Sequence, residues 1–281
     1  MKPNPISLMT FVFHADLEAG RLAYGTLLDG LKATGFDGVE IFQQELAGPR
    51  QADIRRGLAA SGLKLACLDI ICDLVSRDEA ARRKGRDTIR AGIDLAREFG
   101  CDQAMVVGSV PKPGIEPGEA RRMIADGIAS QADYARRAGV VLTIEEFGMT
   151  PDLQCRATDC LEILAGAGAG VRFAFDTGNF IFCGEDPAAV LPRFLTLIHH
   201  VHIKSWRRRE DRRPGDTGEY RGFIGCPVAE GVIPNRDLVR RILASGYRRW
   251  LSLECAVLGD PLAAAARDLA AVQGWLPAAS R

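Results

Sequence analysis

The sequence predicts a single-domain (β/α)8 TIM barrel over residues 1–281, with a long loop between its seventh strand and seventh helix. Eight short apolar runs alternate with eight amphipathic stretches from one end to the other, the pattern of a closed parallel sheet ringed by helices. Most of the amphipathic stretches end in glycine, which suits the left-handed position where a helix stops before the chain re-enters a sheet. No Pro/Gly/Ser linker and no shift of composition divides the chain. A doubly wound open sheet is the other arrangement, but it wants a phosphate-binding G-x-G-x-x-G after its first strand, and none occurs there.

The strands are read from short runs of β-branched and aromatic residues. They are "ISLMTFVF" (6–13), "GVEIF" (38–42), "KLACLDII" (64–71), "QAMVVGS" (103–109), "VVLTIEEF" (140–147), "VRFAFDT" (171–177), "IHHVHIKSW" (198–206) and "RWLSLEC" (249–255). Helical periodicity fills the intervals, as in "RQADIRRGLAASG", "PGEARRMIADGIASQADYARRAG" and "NRDLVRRILASG". One connection is out of proportion: "RRREDRRPGDTGEYRGFIGCPVAEGVIP", rich in Gly, Pro and charge, follows the seventh strand. A loop this long in a compact domain is usually functional, and a lid over the active-site face is the expectation.

Composition narrows the function classes. Lys+Arg and Asp+Glu both number 36, so the chain as a whole exerts no pull toward nucleic acid or anionic lipid. No segment approaches the roughly 20 apolar residues of a membrane span. The start "MKPNPISLMTFVF" reads as a first strand rather than a secretion leader, so a cytoplasmic protein is expected. The eight cysteines lie mostly in apolar stretches with no C-x-x-C pair, which favours reduced core thiols over disulfides or structural zinc.

In such a barrel the active site forms at the C-terminal ends of the strands. The fifth run ends in Glu145 and Glu146, the sixth in Asp176, the seventh carries His202 and Lys204, and the eighth ends in Glu254. Three carboxylates and an imidazole converging in a partly buried place repel unless a cation sits among them. Oxygen-rich ligation with one imidazole suits Mn²⁺ or Mg²⁺, with Co²⁺ or Zn²⁺ as alternatives. Side-chain alternation puts Leu142 and Ile144 on one face and Thr143 and Glu145 on the other. Packing the apolar face against the helices would turn Glu145 toward the axis and leave Glu146 in the rim, although inward positions can also be apolar. Singly, each of these residues could be a helix cap, a turn or a satisfied core residue.

Together these residues carry a resemblance to the xylose-isomerase-like barrel superfamily: sugar isomerases and epimerases, inosose-processing enzymes and the endonuclease IV type of nuclease. The motifs are "GFDGVEIF", "LTIEEFG", "FAFDTGNF", "VHIKSW" and "LSLEC", spread over almost the whole chain. The resemblance implies that Glu145, Asp176, His202 and Glu254 are metal ligands and that Glu145 and Glu254 form an acid/base pair. It places Arg208 as a substrate-gripping residue, with a solvated charge run at 207–213 as the other reading, and Glu40 as a residue facing substrate. Where ketose epimerases carry a second histidine after the strand-six aspartate, this chain has Asn179. The nuclease branch needs a histidine-rich zinc cluster, whereas this chain has four histidines, three of them on one strand.

The expected activity is therefore isomerisation or epimerisation of a keto sugar or related polyol through an enediolate, with Lys204, Asn179, Glu40 and Arg208 orienting the substrate. A metal-dependent dehydratase and a non-catalytic sugar- or metal-binding barrel are the alternatives. A small-molecule substrate, no nucleic acid, no membrane and a homodimer or homotetramer complete the expectation.

Overall fold

The computed structural model describes residues 4–150, 152–213, 218–256 and 260–277. Its strands, in chain order, are β1 (Ile6–Met9), β2 (Gly38–Phe42), β3 (Lys64–Ile71), β4 (Gln103–Val107), β5 (Val141–Glu145), β6 (Arg172–Asp176), β7 (Ile198–Ile203), β8 (Ser205–Arg208), β9 (Glu219–Tyr220), β10 (Phe223–Cys226) and β11 (Leu251–Leu253). Strands β1 to β7 and β11 close a parallel barrel in chain order, with β11 pairing back onto β1. Each barrel strand occupies one of the eight apolar runs.

Side-chain alternation divides these strands cleanly. Residues such as Leu8, Ile41, Ile70, Val106, Ile144, Phe175, Ile203 and Leu253 belong to the core between strands and helices. Their neighbours Ser7, Glu40, Asp69, Gln103, Glu145, Asp176, His202 and Ser252 point inward and are buried there. Among the described residues, Cys67, Met105, Val107 and Ala174 form a small apolar cluster inside. The barrel interior is thus largely polar, and the helix-facing shell supplies most of the buried apolar surface that holds the fold together. Phe173 stacks on Phe194 at 4.2 Å in that shell, and Phe180 lies against Phe175 and Phe194.

The helices Gln51–Ser61, Glu79–Glu98, Pro117–Ala138 and Asn235–Ala244 fall on predicted stretches. Gly139, at φ 74°, ends one of them and returns the chain toward β5. Several predicted elements come out shorter, and for two of them the cause is plain. The first run stops being a strand at Met9, and Thr10–Phe13 turns as a 3-10 helix, with Thr10 Oγ1 donating to the Glu40 carbonyl at 3.1 Å. The sixth helix is only Pro187–Val190 followed by a 3-10 turn, Leu191–Arg193, because Pro192 has no N–H to continue it.

The long connection contains structure of its own. Strands β8, β10 and β9 form a small antiparallel sheet, with Trp206 opposite Gly225 and Phe223 opposite Tyr220. It flanks the C-terminal end of the barrel, and its Trp206 and Tyr220 face the cavity there. All eight cysteines are free thiols, seven of them buried. Among the described residues no helix is long and apolar enough to cross a membrane.

Candidate metal and substrate site

Strand register sets the site. Asp176 at the end of β6 lies level with His202 on β7, and His202 lies level with Ser252 on β11, so Glu254 projects one inward step beyond. Glu145 ends β5. The ligand atoms of Glu145, Asp176, His202 and Glu254 all lie within 4.8 Å of one another. His202 Nδ1 is 2.5 Å from Glu145 Oε1 and 3.9 Å from Asp176 Oδ2. The backbone N–H groups of Gly178 and Asn179 donate to Asp176 Oδ1 at 2.6 and 3.1 Å, which fixes the carboxylate and turns Oδ2 toward the group. Lys204 Nζ lies 3.0 Å from Asp176 Oδ2 and 2.5 Å from Glu254 Oε2.

Burial dominates the electrostatics. It pushes the Glu254 carboxyl up to about 7 against the pull of Lys204, and it raises Glu145 as well. Burial disfavours a charged His202, but Glu40 and Glu145 on either side outweigh it and hold the imidazole well above its ordinary value. Asp176 and Glu254 likewise keep the buried Lys204 protonated. A group of three carboxylates with this little solvent has negative charge to offset, and three oxygens plus one imidazole nitrogen fit a hard divalent cation.

Beneath the group lies a second polar layer. Glu40 spans two histidines, Oε1 at 2.9 Å from His202 Nε2 and Oε2 at 2.9 Å from His200 Nε2. His200 Nδ1 in turn meets Gln103 Nε2 at 2.8 Å, and that amide donates to the Ala66 carbonyl at 2.7 Å. His202 therefore presents Nδ1 to the carboxylate group while Glu40 holds Nε2, the arrangement that fixes a ligating imidazole's orientation and tautomer.

Two residues are not where the sequence reading put them. Glu40 is 1% exposed and does not line the cavity. It points inward from the middle of β2, so its carboxylate meets histidines rather than substrate. Arg208 shares the Trp206 face of β8 but sits one step farther out, exposed, with its guanidinium 5.9 Å from the Phe223 ring. The 207–213 run is tied by ion pairs: Arg207 and Arg213 to Glu230 at 2.5 and 2.6 Å, Arg209 and Arg212 to Glu219 at 3.2 and 3.3 Å.

Asn179 and Lys204 do line the cavity, along with Glu145 and Glu254. Asn179 Nδ2 donates to the Glu146 carbonyl at 2.9 Å, and its Oδ1 accepts from Lys204 Nζ at 3.2 Å. Glu146 itself faces away from the cavity, fully buried, and burial first, then the Asp176 charge, pushes its carboxyl well above the usual range. The sequence reading missed His200 and Gln103, although His200 stands two residues before His202 and so shares its face. It also missed the apolar wall of the cavity, about 480 Å³ in volume, to which Phe11, Phe42, Phe147, Phe182 and Trp206 contribute.

Comparison with known proteins decides the family. A family model described as xylose isomerase-like TIM barrel matches residues 28–277. The chain belongs to this family. Among the relatives of this xylose isomerase-like barrel is a protein of Streptomyces coelicolor provisionally named hydroxypyruvate isomerase, 24% identical over 89% of this chain and 88% of the relative. The 3-dehydroshikimate dehydratase of Pseudomonas aeruginosa is 28% identical over 89% of this chain, which spans 39% of that longer protein. The solved structure of D-allulose 3-epimerase from Methylomonas sp. superposes with a TM-score of 0.77 over 98% of this chain and 99% of that one, at 17% identity. At that identity the likeness speaks for the xylose isomerase-like fold.

Proposed function

We propose that this chain is a divalent-metal-dependent isomerase or epimerase of a keto sugar or related polyol, working through an enediolate. The observation that carries the reading is the convergence of Glu145, Asp176, His202 and Glu254 within 4.8 Å, with Glu145 and Glu254 both facing the cavity. The donor set suits Mn²⁺ or Mg²⁺, with Co²⁺ and Zn²⁺ as alternatives. A bound cation would supply Lewis-acid polarisation of the substrate's carbonyl and neighbouring hydroxyl.

The chain's own groups do the rest. Glu145 or Glu254 takes the proton from the carbon beside the carbonyl, and the other carboxyl returns one. Lys204 Nζ, between Asp176 and Glu254, places a fixed positive charge beside the developing enediolate. Asn179, tied to the Glu146 carbonyl and to Lys204, offers a rigid amide at the same wall.

The second reading is a dehydratase, in which the same proton removal is followed by loss of a β-hydroxyl as water. It is favoured by a dehydratase relative more identical to this chain than the isomerase relative is. Metal analysis of the purified protein, followed by a solvent-deuterium exchange screen over keto sugars and keto-inositols, tests both. Exchange with a product of unchanged mass supports isomerisation or epimerisation, and a product lacking water supports the dehydratase. Bound metal without exchange into any of them removes both readings in favour of a binding barrel.

A further inference from the structure

The outer part of the cavity is apolar. Phe11 and Phe42 approach at 6.3 Å on one wall, and on another the Phe182 ring meets Trp206 at 5.0 Å and Tyr220 at 4.9 Å. Met9, Met105 and Val107 continue the lining. At the mouth, Met149 is 59% exposed and Ile71 42% exposed, two of the few large apolar side chains left open to water.

The polar side chains of the lining are few beside its aromatic and aliphatic ones. Glu145 and Glu254 belong to the ligand group, Lys204 is paired with Asp176 and Glu254, and each end of the Asn179 amide makes one bond. The Tyr220 hydroxyl donates to the Gly148 carbonyl at 3.3 Å, and Glu219 is held by Arg209 and Arg212. The Trp206 Nε1 atom is buried away from the cavity surface. Among the described lining residues the one cation is Lys204, neutralised by two carboxylates. A hydroxyl-rich tail entering here would find few side-chain partners, and a phosphate would meet no free cation among the described lining residues.

We infer that the substrate is an uncharged, amphipathic hydroxy-carbonyl compound whose polar head reaches the Glu145–Glu254 group and whose body, lying in the outer cavity, is an apolar ring. This rests on the hydroxy-carbonyl chemistry proposed above and narrows its keto sugar or polyol to a short hydroxy-carbonyl head that carries an apolar ring. The aromatic walls offer faces for the ring to stack on, and Met149 and Ile71 cover its outer edge.

Calorimetric titration of the Mn²⁺-reconstituted protein with 2-hydroxyacetophenone, hydroxyacetone and dihydroxyacetone phosphate tests this. The first carries head and ring, the second the head alone and the third the head with a phosphate. Burying one ring should make 2-hydroxyacetophenone bind about tenfold or more tighter than either other probe. Met149→Asp, at a position too exposed to endanger folding, should bring that ratio toward one. Equal or weaker binding of 2-hydroxyacetophenone, or no binding of it, overturns the inference. So does wild-type protein that sediments as a dimer through this face, shown by a Met149→Asp monomer whose binding ratio is unchanged. Deuterium exchange into the bound probe is read separately, so tight binding without exchange counts against the proposed reaction and leaves the substrate class standing.

Discussion

Glu40 and His202 lie 162 residues apart in the chain and meet at 2.9 Å inside the barrel, Oε1 of one against Nε2 of the other. Both are fully buried, and the histidines on either side of Glu40 hold its carboxylate well below the usual range against the cost of burial. An ionised carboxylate in this position would make His202 a better and better-oriented ligand for the proposed cation.

Glu40→Gln keeps the shape and removes the charge. Mn²⁺ affinity is expected to fall about 10- to 100-fold, the usual cost of losing a partner behind a ligating histidine. Titration calorimetry, with circular dichroism to verify the fold, measures it. Unchanged affinity would leave Glu40 with a packing role alone.

Glu254→Gln should lower turnover on a verified substrate by about two orders of magnitude or more, the contribution of a general acid or base. Because Glu254 also belongs to the ligand group, turnover is compared at saturating Mn²⁺, where the lost proton transfer is what the rate reports. A variant turning over at the wild-type rate would exclude Glu254 from the chemistry.

His199 is a half-buried histidine of a different kind: its Nε2 has no hydrogen-bond partner, and desolvation, followed by the Arg249 charge, pulls its pKa down to about 4 from 6.5. Between those values the unfolded chain binds the proton and the folded chain does not. Stability therefore rises with pH across this window and is lost as pH falls from 6.5 toward 4. In His199→Gln the urea midpoint should fall less between pH 6.5 and pH 4.5 than in the wild type.

Gly231 tests how the small sheet is held. At φ 81° it passes so close to β8 that an added Cβ would sit 2.2 Å from the Trp206 carbonyl oxygen, beside the Val232 N–H bond to the same oxygen at 2.8 Å. Gly231→Ala should cost about 2 kcal/mol or more from the left-handed backbone and the clash together. Thermal unfolding reads the loss, and Trp206 fluorescence reads the shift of the cavity wall.

Much of the fold was legible because its signals are local. The fifth run "VVLTIEEF" showed both its period of two and its paired carboxylates, and the inward turn of Glu145 followed from Leu142 and Ile144 packing outward. The end of the first strand was less legible, since Thr10 leaves the sheet for a bond to a carbonyl on β2 that no local pattern reveals. Arg208 was misplaced for a related reason. Alternation along "SWRRR" puts it on the Trp206 face, but how far that face extends past the cavity depends on the pairing of β8 with β10.

The sequence by itself determined the order of strands and helices and the polar residues at the strand ends, because alternation, helical period and residue type are properties of neighbours along the chain. Only the tertiary structure decided that Glu40 stands behind His202, that the arginine run is spent on Glu219 and Glu230, and that aromatic rings wall the cavity. Each depends on barrel closure and strand register, which bring together residues far apart in the chain.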